Sequence, residues 1–394
     1  MARFEPDRDY GLNTLIAHLG EEEKIKGAVV PPIFQNSLFL FETIDDLNGH
    51  IREGRTDMDV YSRVSNPTTS IAEKKIAAIE GTEEARLFNS GMAAISAAIL
   101  SALDGPAHVV AVDTCYGPTR QFLDYMSRYG VTTTYIEGTD PDAVIAAIRP
   151  GETQAVYLES PSSVLFLLQD LTTICRYCRE HGVTTILDNS YSAGVFQKPA
   201  SFGVDLVVHS ATKYFGGHSD VVAGAIAGSK ERLTKMTMEE VSLFGAILPP
   251  FPSWLILRGL RTLTVRLKHH QEAANHIAKW LQGTGAADAV HHVGLDSFPQ
   301  AALRDRQMTG TSGLFSFEPK VQDGEKVKAF ANHLGLFGRG VSWGGFESLV
   351  VAFPTHPMHY ESSRWIVRLN IGLEEPADLI ADIQQALHAS ELLP

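Results

Sequence analysis

The chain has 394 residues, with 33 Lys and Arg against 46 Asp and Glu, a formal net charge of -13. Such a length buries a sizeable core and predicts a large domain with a smaller one, while the acidic balance argues against nucleic acid or an anionic membrane as a main partner. The N-terminal stretch has no basic n-region followed by an apolar h-region, no later stretch approaches a membrane span, and three cysteines are too few for a disulfide framework, so a cytoplasmic protein is expected.

Residues 1 to about 60 mix short helical signals with irregular sequence such as Val29-Val30-Pro31-Pro32-Ile33, and read as an arm that a partner subunit helps to bury. The turn from Tyr61 to Ser70 leads into a helix through Ile71, Ile76 and Ile79, which Gly81 ends. Strand-like and helix-like segments then alternate. Strands are predicted at Ala85 to Phe88, Val109 to Val112, Val131 to Ile136, Ala155 to Leu158, Thr184 to Leu187 and Val204 to Val208. The helices between them run from Ala93 to Leu103, from Gly117 to about Tyr129, from Pro141 to Ile148 and from Leu171 to His181. This order predicts an α/β domain, a mostly parallel sheet covered by helices on both faces, with ligands at the carboxyl ends of the strands. Cys175 and Cys178 share a helical face with Ile174 and are expected as buried apolar residues, not as metal ligands or a redox pair.

A strand at Val221 to Gly228 and a helix from Lys230 to Phe244 follow, and the loop from Gly245 to Ser253 opens one long helical pattern to about Leu281. Beyond it the order changes to strands at Gly313 to Phe317, Leu349 to Phe353 and Trp365 to Asn370, with helices at Glu325 to Leu334 and Ala377 to His388, an α+β small domain. The expected division is an arm at 1–60, a large domain at 61–256 and a small domain at 257–394. His269-His270 and His291-His292 have no carboxylate or cysteine at metal spacing and are expected on solvated faces.

Polar groups gather at the predicted strand ends. Lys213, in His209-Ser210-Ala211-Thr212-Lys213-Tyr214, follows an apolar strand, where desolvation lowers an amine's pKa and frees it to attack a carbonyl; a loop lysine reaching solvent is the bland alternative. Ser90-Gly91-Met92 opens a helix, so its N–H groups and dipole form an anion site, and Gly91 admits the close approach of a phosphate to which Ser210 and Thr212 add hydroxyls. Asp188 closes an apolar strand, a costly place for a carboxylate without a cationic partner. Tyr116 starts a loop directly after a strand and offers a ring for stacking. An amine that forms an imine, an acid that keeps a pyridine nitrogen protonated and a phosphate cradle are the minimum set for pyridoxal phosphate.

Eight runs carry a more specific resemblance: Tyr61-Ser62-Arg63-Val64-Ser65-Asn66-Pro67-Thr68, Ser90-Gly91-Met92, Asp188-Asn189, Ser210-Ala211-Thr212-Lys213-Tyr214, Gly217-His218-Ser219-Asp220, Arg258-Gly259-Leu260-Arg261-Thr262-Leu263, Ser342-Trp343-Gly344-Gly345-Phe346-Glu347-Ser348, and Arg368-Leu369-Asn370-Ile371-Gly372-Leu373-Glu374. In this order they resemble the Cys/Met-metabolism (trans-sulfuration) family of pyridoxal-phosphate enzymes, over nearly the whole chain. The resemblance implies fold type I, aspartate-aminotransferase-like. It also implies Lys213 as the Schiff-base lysine, Asp188 as partner of the pyridine nitrogen, Tyr116 stacked on the ring, and Gly91, Met92, Ser210 and Thr212 around the phosphate. Tyr61 and Arg63 are implied to reach in from the neighbouring subunit of a homotetramer, a dimer of dimers. Arg368 is implied to bind the substrate α-carboxylate, Ser342 to position that carboxylate and Lys213, and His218 to support the lysine loop.

The implied chemistry is α,β-elimination, in which Lys213, displaced by an amino acid, takes the α-proton while the ring held by Asp188 accepts the charge. From cystathionine this yields pyruvate, ammonia and homocysteine. Ser342-Trp343-Gly344-Gly345-Phe346 resembles the bacterial cystathionine β-lyases, with Trp343 the discriminating residue, whereas Tyr61 to Thr68 resembles the γ-enzymes. Val341 stands where β-lyases tend to have tyrosine and several γ-enzymes glutamate. Ser163, in Glu159-Ser160-Pro161-Ser162-Ser163, stands where γ-enzymes have asparagine, and the apolar run Val164-Leu165-Phe166-Leu167-Leu168 follows it. A β-lyase is the first expectation, and a γ-lyase or γ-synthase the second. A catalytically silent pyridoxal-phosphate protein with a regulatory role is the alternative of another class, and Lys213, Asp188, Tyr116 and Arg368 together speak against it.

Overall fold

Seven apolar runs after residue 83 become one sheet: β1 (Glu84–Phe88), β2 (Ala107–Val112), β3 (Val131–Ile136), β4 (Thr153–Glu159), β5 (Thr184–Asp188), β6 (Leu206–His209) and β7 (Gly224–Gly228), in the spatial order β1-β7-β6-β5-β4-β2-β3. The computed structural model describes residues 4–5, 8–52 and 58–393; of the expected arm, 1–3, 6–7 and 53–57 lie outside the described residues. β2 pairs in parallel with β3 and β4, β4 with β5, and β5 with β6, while β7 runs antiparallel to both β1 and β6. The strands β2, β5, β6 and β7 are buried along their whole length, as strands covered on both faces must be. The helix Pro67–Glu80 shows how local chemistry sets an element. Asn66 accepts the Thr68 N–H at 3.0 Å, Pro67 presets the first turn, and Gly81 ends it at φ 73.

A second sheet has the order β10-β11-β12-β9-β8, built from β8 (Ala287–His291), β9 (Leu314–Pro319), β10 (Gly338–Arg339), β11 (Leu349–Thr355) and β12 (Arg364–Asn370). Helices Leu263–Gly283, Gly324–His333 and Pro376–Ala389 bury Ile277, Phe330 and Ile383 in one cluster with Phe315, Phe317 and Leu369. The apolar run after Ser163 packs on the second sheet and the segments beside it. Phe166 and Leu168 pack with Val293, Met308 and Leu314, and Leu165 and Leu167 pack with Ile366. Near the N-terminus, the buried Lys75 amine donates to Ile16 O at 2.6 Å and pairs with Glu21, which Arg261 also reaches at 2.9 Å. Among the described residues no helix is long and apolar enough to cross a membrane.

Several expectations need correction. The long helical pattern to Leu281 is two helices, Pro250–Leu260 and Leu263–Gly283, because Thr262 leaves the helical region (φ -114, ψ 10). Arg266 stabilises the break by donating to Gly259 O and Tyr214 O, each at 2.8 Å. The Lys230 to Phe244 helix contains a π-helical stretch, Thr237–Val241. Both β8 and β10 escape sequence reading since they are short edge strands with little apolar run. His270 and His292 are fully buried, not solvated. His270 lies on the inward face with Leu263, Leu267, Ala274 and Ile277 and donates to Ile371 O at 2.7 Å, and His292 meets Asn275 Oδ1 at 2.6 Å. Cys175 and Cys178 are buried free thiols whose pKa burial pushes up to about 12.

Candidate active site

The carboxyl ends of β1, β2, β4, β5 and β6 converge, and each delivers a polar group. After β6 the chain turns through Lys213, whose N–H donates to Ser210 O and whose carbonyl accepts from Gly217 N. The Lys213 amine donates to Ser342 Oγ at 2.8 Å and stands 5.3 Å from the centroid of the Trp343 ring. Burial, reinforced by the charge of Arg368 and opposed by Asp188, lowers its pKa to about 8, so the bland reading of a solvated loop lysine fails. Ser342 and Trp343 come from the loop between β10 and β11. That loop can approach because Gly344 has φ +80 and no side chain, and a Cβ there meets Tyr214 N at 3.0 Å and Lys213 C at 3.1 Å.

Asp188 is the last residue of β5 and is buried. Burial pushes its carboxyl pKa up, while Ser190 and the nearby charges of His209 and Lys213 oppose the shift; the Ser190 N–H donates to Asp188 Oδ1 at 2.9 Å. Ser190 also accepts the Ser210 N–H at 2.7 Å and so ties the acid to the lysine loop. Behind them, His209 Nε2 meets the buried Glu80 at 2.6 Å, and Asn189 Nδ2 donates to the same Glu80 oxygen at 3.0 Å. Tyr116, after β2, is 47% exposed, which leaves its ring accessible for stacking. Its N–H donates to Glu159 Oε2 at 2.7 Å. Glu159 ends β4 directly opposite Asp188 in the register. Burial and the Asp188 charge push its pKa up to about 8. The sequence reading assigned no role to Glu159 or Ser190. Glu159 carries the signal that exposed Asp188, a carboxylate closing an apolar strand.

Ser90 caps the helix Gly91–Ser101 by accepting the Ala93 N–H at 3.0 Å, and the first intrahelical bond is Ala94 N to Ser90 O at 3.1 Å. The N–H groups of Gly91 and Met92 precede those bonds and are available to an anion. Gly91 also lets the lysine loop come close. Its missing side chain makes room for Ser210, since a Cβ there meets Ser210 Cβ and Oγ at 3.0 Å. The Thr212 hydroxyl accepts from Ala223 N at 2.9 Å and donates to Ala223 O at 3.1 Å, bracing the lysine turn.

Arg368, on β12, donates to Val341 O at 2.7 Å; burial lowers its pKa and the neighbouring Tyr116 opposes that shift. Val341 is 81% exposed, and its backbone carbonyl, which holds the guanidinium, is its contribution. Trp343 packs against both the core of the first sheet and the Phe166 cluster, with its ring 5.5 Å from that of Tyr214. His218 donates to Gly216 O at 2.7 Å within the lysine loop. Tyr61 and Arg63 are exposed, with the guanidinium 5.1 Å from the tyrosine ring centroid. Among the described residues no hydrogen bond joins them to the Lys213 group.

A buried amine, a buried carboxylate that calls for a cation, an exposed ring and an anion cradle, all on the carboxyl edge of one sheet, fit pyridoxal phosphate and define a fold type I site. The chain belongs to the Cys/Met metabolism PLP-dependent enzymes, whose family model matches residues 13–388, and its cofactor is pyridoxal 5'-phosphate. It is 36% identical over 392 residues to L-methionine gamma-lyase of Pseudomonas putida, covering 96% of this chain and 98% of that one. Cystathionine beta-lyase of Lactococcus lactis subsp. cremoris is 35% identical over 388 residues, covering 95% and 98%. The crystal structure of metB from Corynebacterium glutamicum superposes with a TM-score of 0.88 at 30% identity, covering 98% of this chain and 99% of that one.

Proposed function

We propose that the protein is a carbon–sulfur lyase that removes a β-thiol from an amino acid by α,β-elimination, with cystathionine as the first candidate and pyruvate, ammonia and a thiol as products. The bound cofactor supplies an electron sink for charge developing at the substrate α-carbon. Arg368, held by Val341 O, receives the α-carboxylate through the remaining donors of its fork. Lys213, with a pKa lowered to about 8 and held by Ser342, takes the α-proton as general base. When the cofactor is bound, Asp188 would keep the ring nitrogen protonated, Tyr116 would stack on the ring, and Gly91, Met92, Ser210 and Thr212 would hold the phosphate. Tyr61 and Arg63 complete the site of a neighbouring subunit in a cytoplasmic homotetramer.

The observation that carries the β-reading is Trp343, whose ring centroid stands 5.3 Å from the Lys213 amine in the run that resembles the bacterial cystathionine β-lyases. Elimination at Cβ needs one proton removed, which Lys213 accomplishes; γ-elimination needs a second. The γ-reading draws on the methionine gamma-lyases among the relatives and on the Tyr61 to Thr68 run. Purified enzyme given cystathionine, cysteine and methionine separates them by the ketoacid formed. Pyruvate is expected, and 2-oxobutyrate without pyruvate would falsify the β-reading.

A further inference from the structure

We propose that Glu159 is a positioning residue for the cofactor, holding Tyr116 so that its ring meets the pyridine face at a fixed place. Glu159 is the point where three parts of the site meet. Its Oε2 accepts the Tyr116 N–H at 2.7 Å, its Oε1 accepts from Ser163 Oγ at 2.5 Å, and its Cα faces that of Asp188 across β4 and β5. Tyr116 is the N-cap of the helix Gly117–Met126, with no side-chain cap of its own, so the carboxyl anchors the backbone from which the stacking ring projects.

The loop that delivers Ser163 is built at a cost. Val164 and Phe166 adopt φ 71 and φ 55, left-handed backbone that β-branched and bulky residues rarely enter. Such strain persists where surroundings over-determine it and where function uses it. Here Phe166 N donates to Ser162 O at 3.1 Å, Ser162 N donates to Leu167 O at 2.9 Å, and the side chains of Leu165 through Leu168 are buried with Leu314 and Ile366 of the second sheet. The result is a serine hydroxyl aimed at Glu159 from a rigid base.

Two ionised carboxylates facing each other in a buried strand edge repel. Burial and the Asp188 charge push the Glu159 pKa up to about 8, and burial raises that of Asp188 as well, so the facing pair favours carrying a proton between them. A neutral Glu159 still accepts from Tyr116. The competing explanation is a plain helix cap, which contributes stability and leaves the cofactor untouched.

The test uses holoenzyme of E159A, E159Q and S163A, read by visible circular dichroism of the bound cofactor, by kcat and KM, and by melting temperature. The kinetic readout rests on the lyase reading, whereas the dichroism does not, so an enzyme without lyase turnover sinks only that reading. E159A should change the visible dichroism and lower kcat by about tenfold or more, with KM moving less than about threefold. E159Q mimics the neutral acid, its amide oxygen accepting from Tyr116 and its amino group bonding Ser163, and should restore the dichroism and about a third or more of kcat. S163A should move both readouts the same way by a smaller factor, about two- to fivefold, and carries the test alone if E159A does not fold. Wild-type dichroism in E159A and S163A, whatever their melting temperatures, overturns the proposal, as does an E159Q no better than E159A.

Discussion

Gly91→Ala adds one methyl group where the start of the helix Gly91–Ser101 meets the lysine loop. The new Cβ lies 3.0 Å from Ser210 Cβ and Oγ and 3.2 Å from its Cα, so Ser210 must retreat by a few tenths of an ångström. Retreat is resisted, because the Ser210 N–H is tied to Ser190 Oγ at 2.7 Å, and Ser190 holds Asp188. Overpacking of this kind costs about 1–3 kcal/mol. In the proposed site Ser210 and the Gly91 and Met92 N–H groups form the anion cradle, so the cost should fall largely on cofactor binding, a loss of about five- to a hundredfold in affinity. Titrating apoenzyme with pyridoxal phosphate and following its visible absorbance measures this directly, with kcat at saturating cofactor expected to change little. Should G91A bind the cofactor within about twofold of wild type, the convergence of Gly91 and Ser210 is not what forms the cradle.

Lys213→Ala removes the amine held by Ser342 and should lower turnover by about a thousandfold or more while leaving the far-ultraviolet spectrum and cooperative melting intact; full activity would remove Lys213 from the mechanism. His270 and His292 are buried neutral, with pKa values lowered to about 4 and about 3. The unfolded chain takes up protons at these sites from about pH 6.5 downward, so the stability they contribute is complete above that value and is lost as pH falls toward the folded values. Urea midpoints of wild type should therefore drop between about pH 7 and about pH 5, and more steeply than those of an H270N/H292N variant. Equal slopes would mean that these histidines do not stay neutral in the folded chain.

The strand-end chemistry was legible because it is local. Lys213, Asp188 and Ser90-Gly91-Met92 each follow an apolar run, and a polar group at that place stands out against a short stretch of neighbours. Glu159 bears the same mark, but its meaning depends on Asp188 facing it and on Ser163 being turned toward it, a matter of register and loop conformation. The buried histidines show the same limit from the other side: charge type suggested water, and helix packing placed His270 in the core.

By itself, then, the sequence determined the α/β order, the eight runs in their order and the residue types able to hold pyridoxal phosphate, since periodicity and strand-end punctuation are properties of short stretches. Only the tertiary structure decided that Ser342 meets the Lys213 amine from 129 residues away. It also decided that Arg368 is held by the carbonyl of Val341 and not by a side chain, and that Gly91 yields its space to Ser210. Those contacts join residues far apart in the chain, and their geometry is a sum over many distant residues that no local pattern contains.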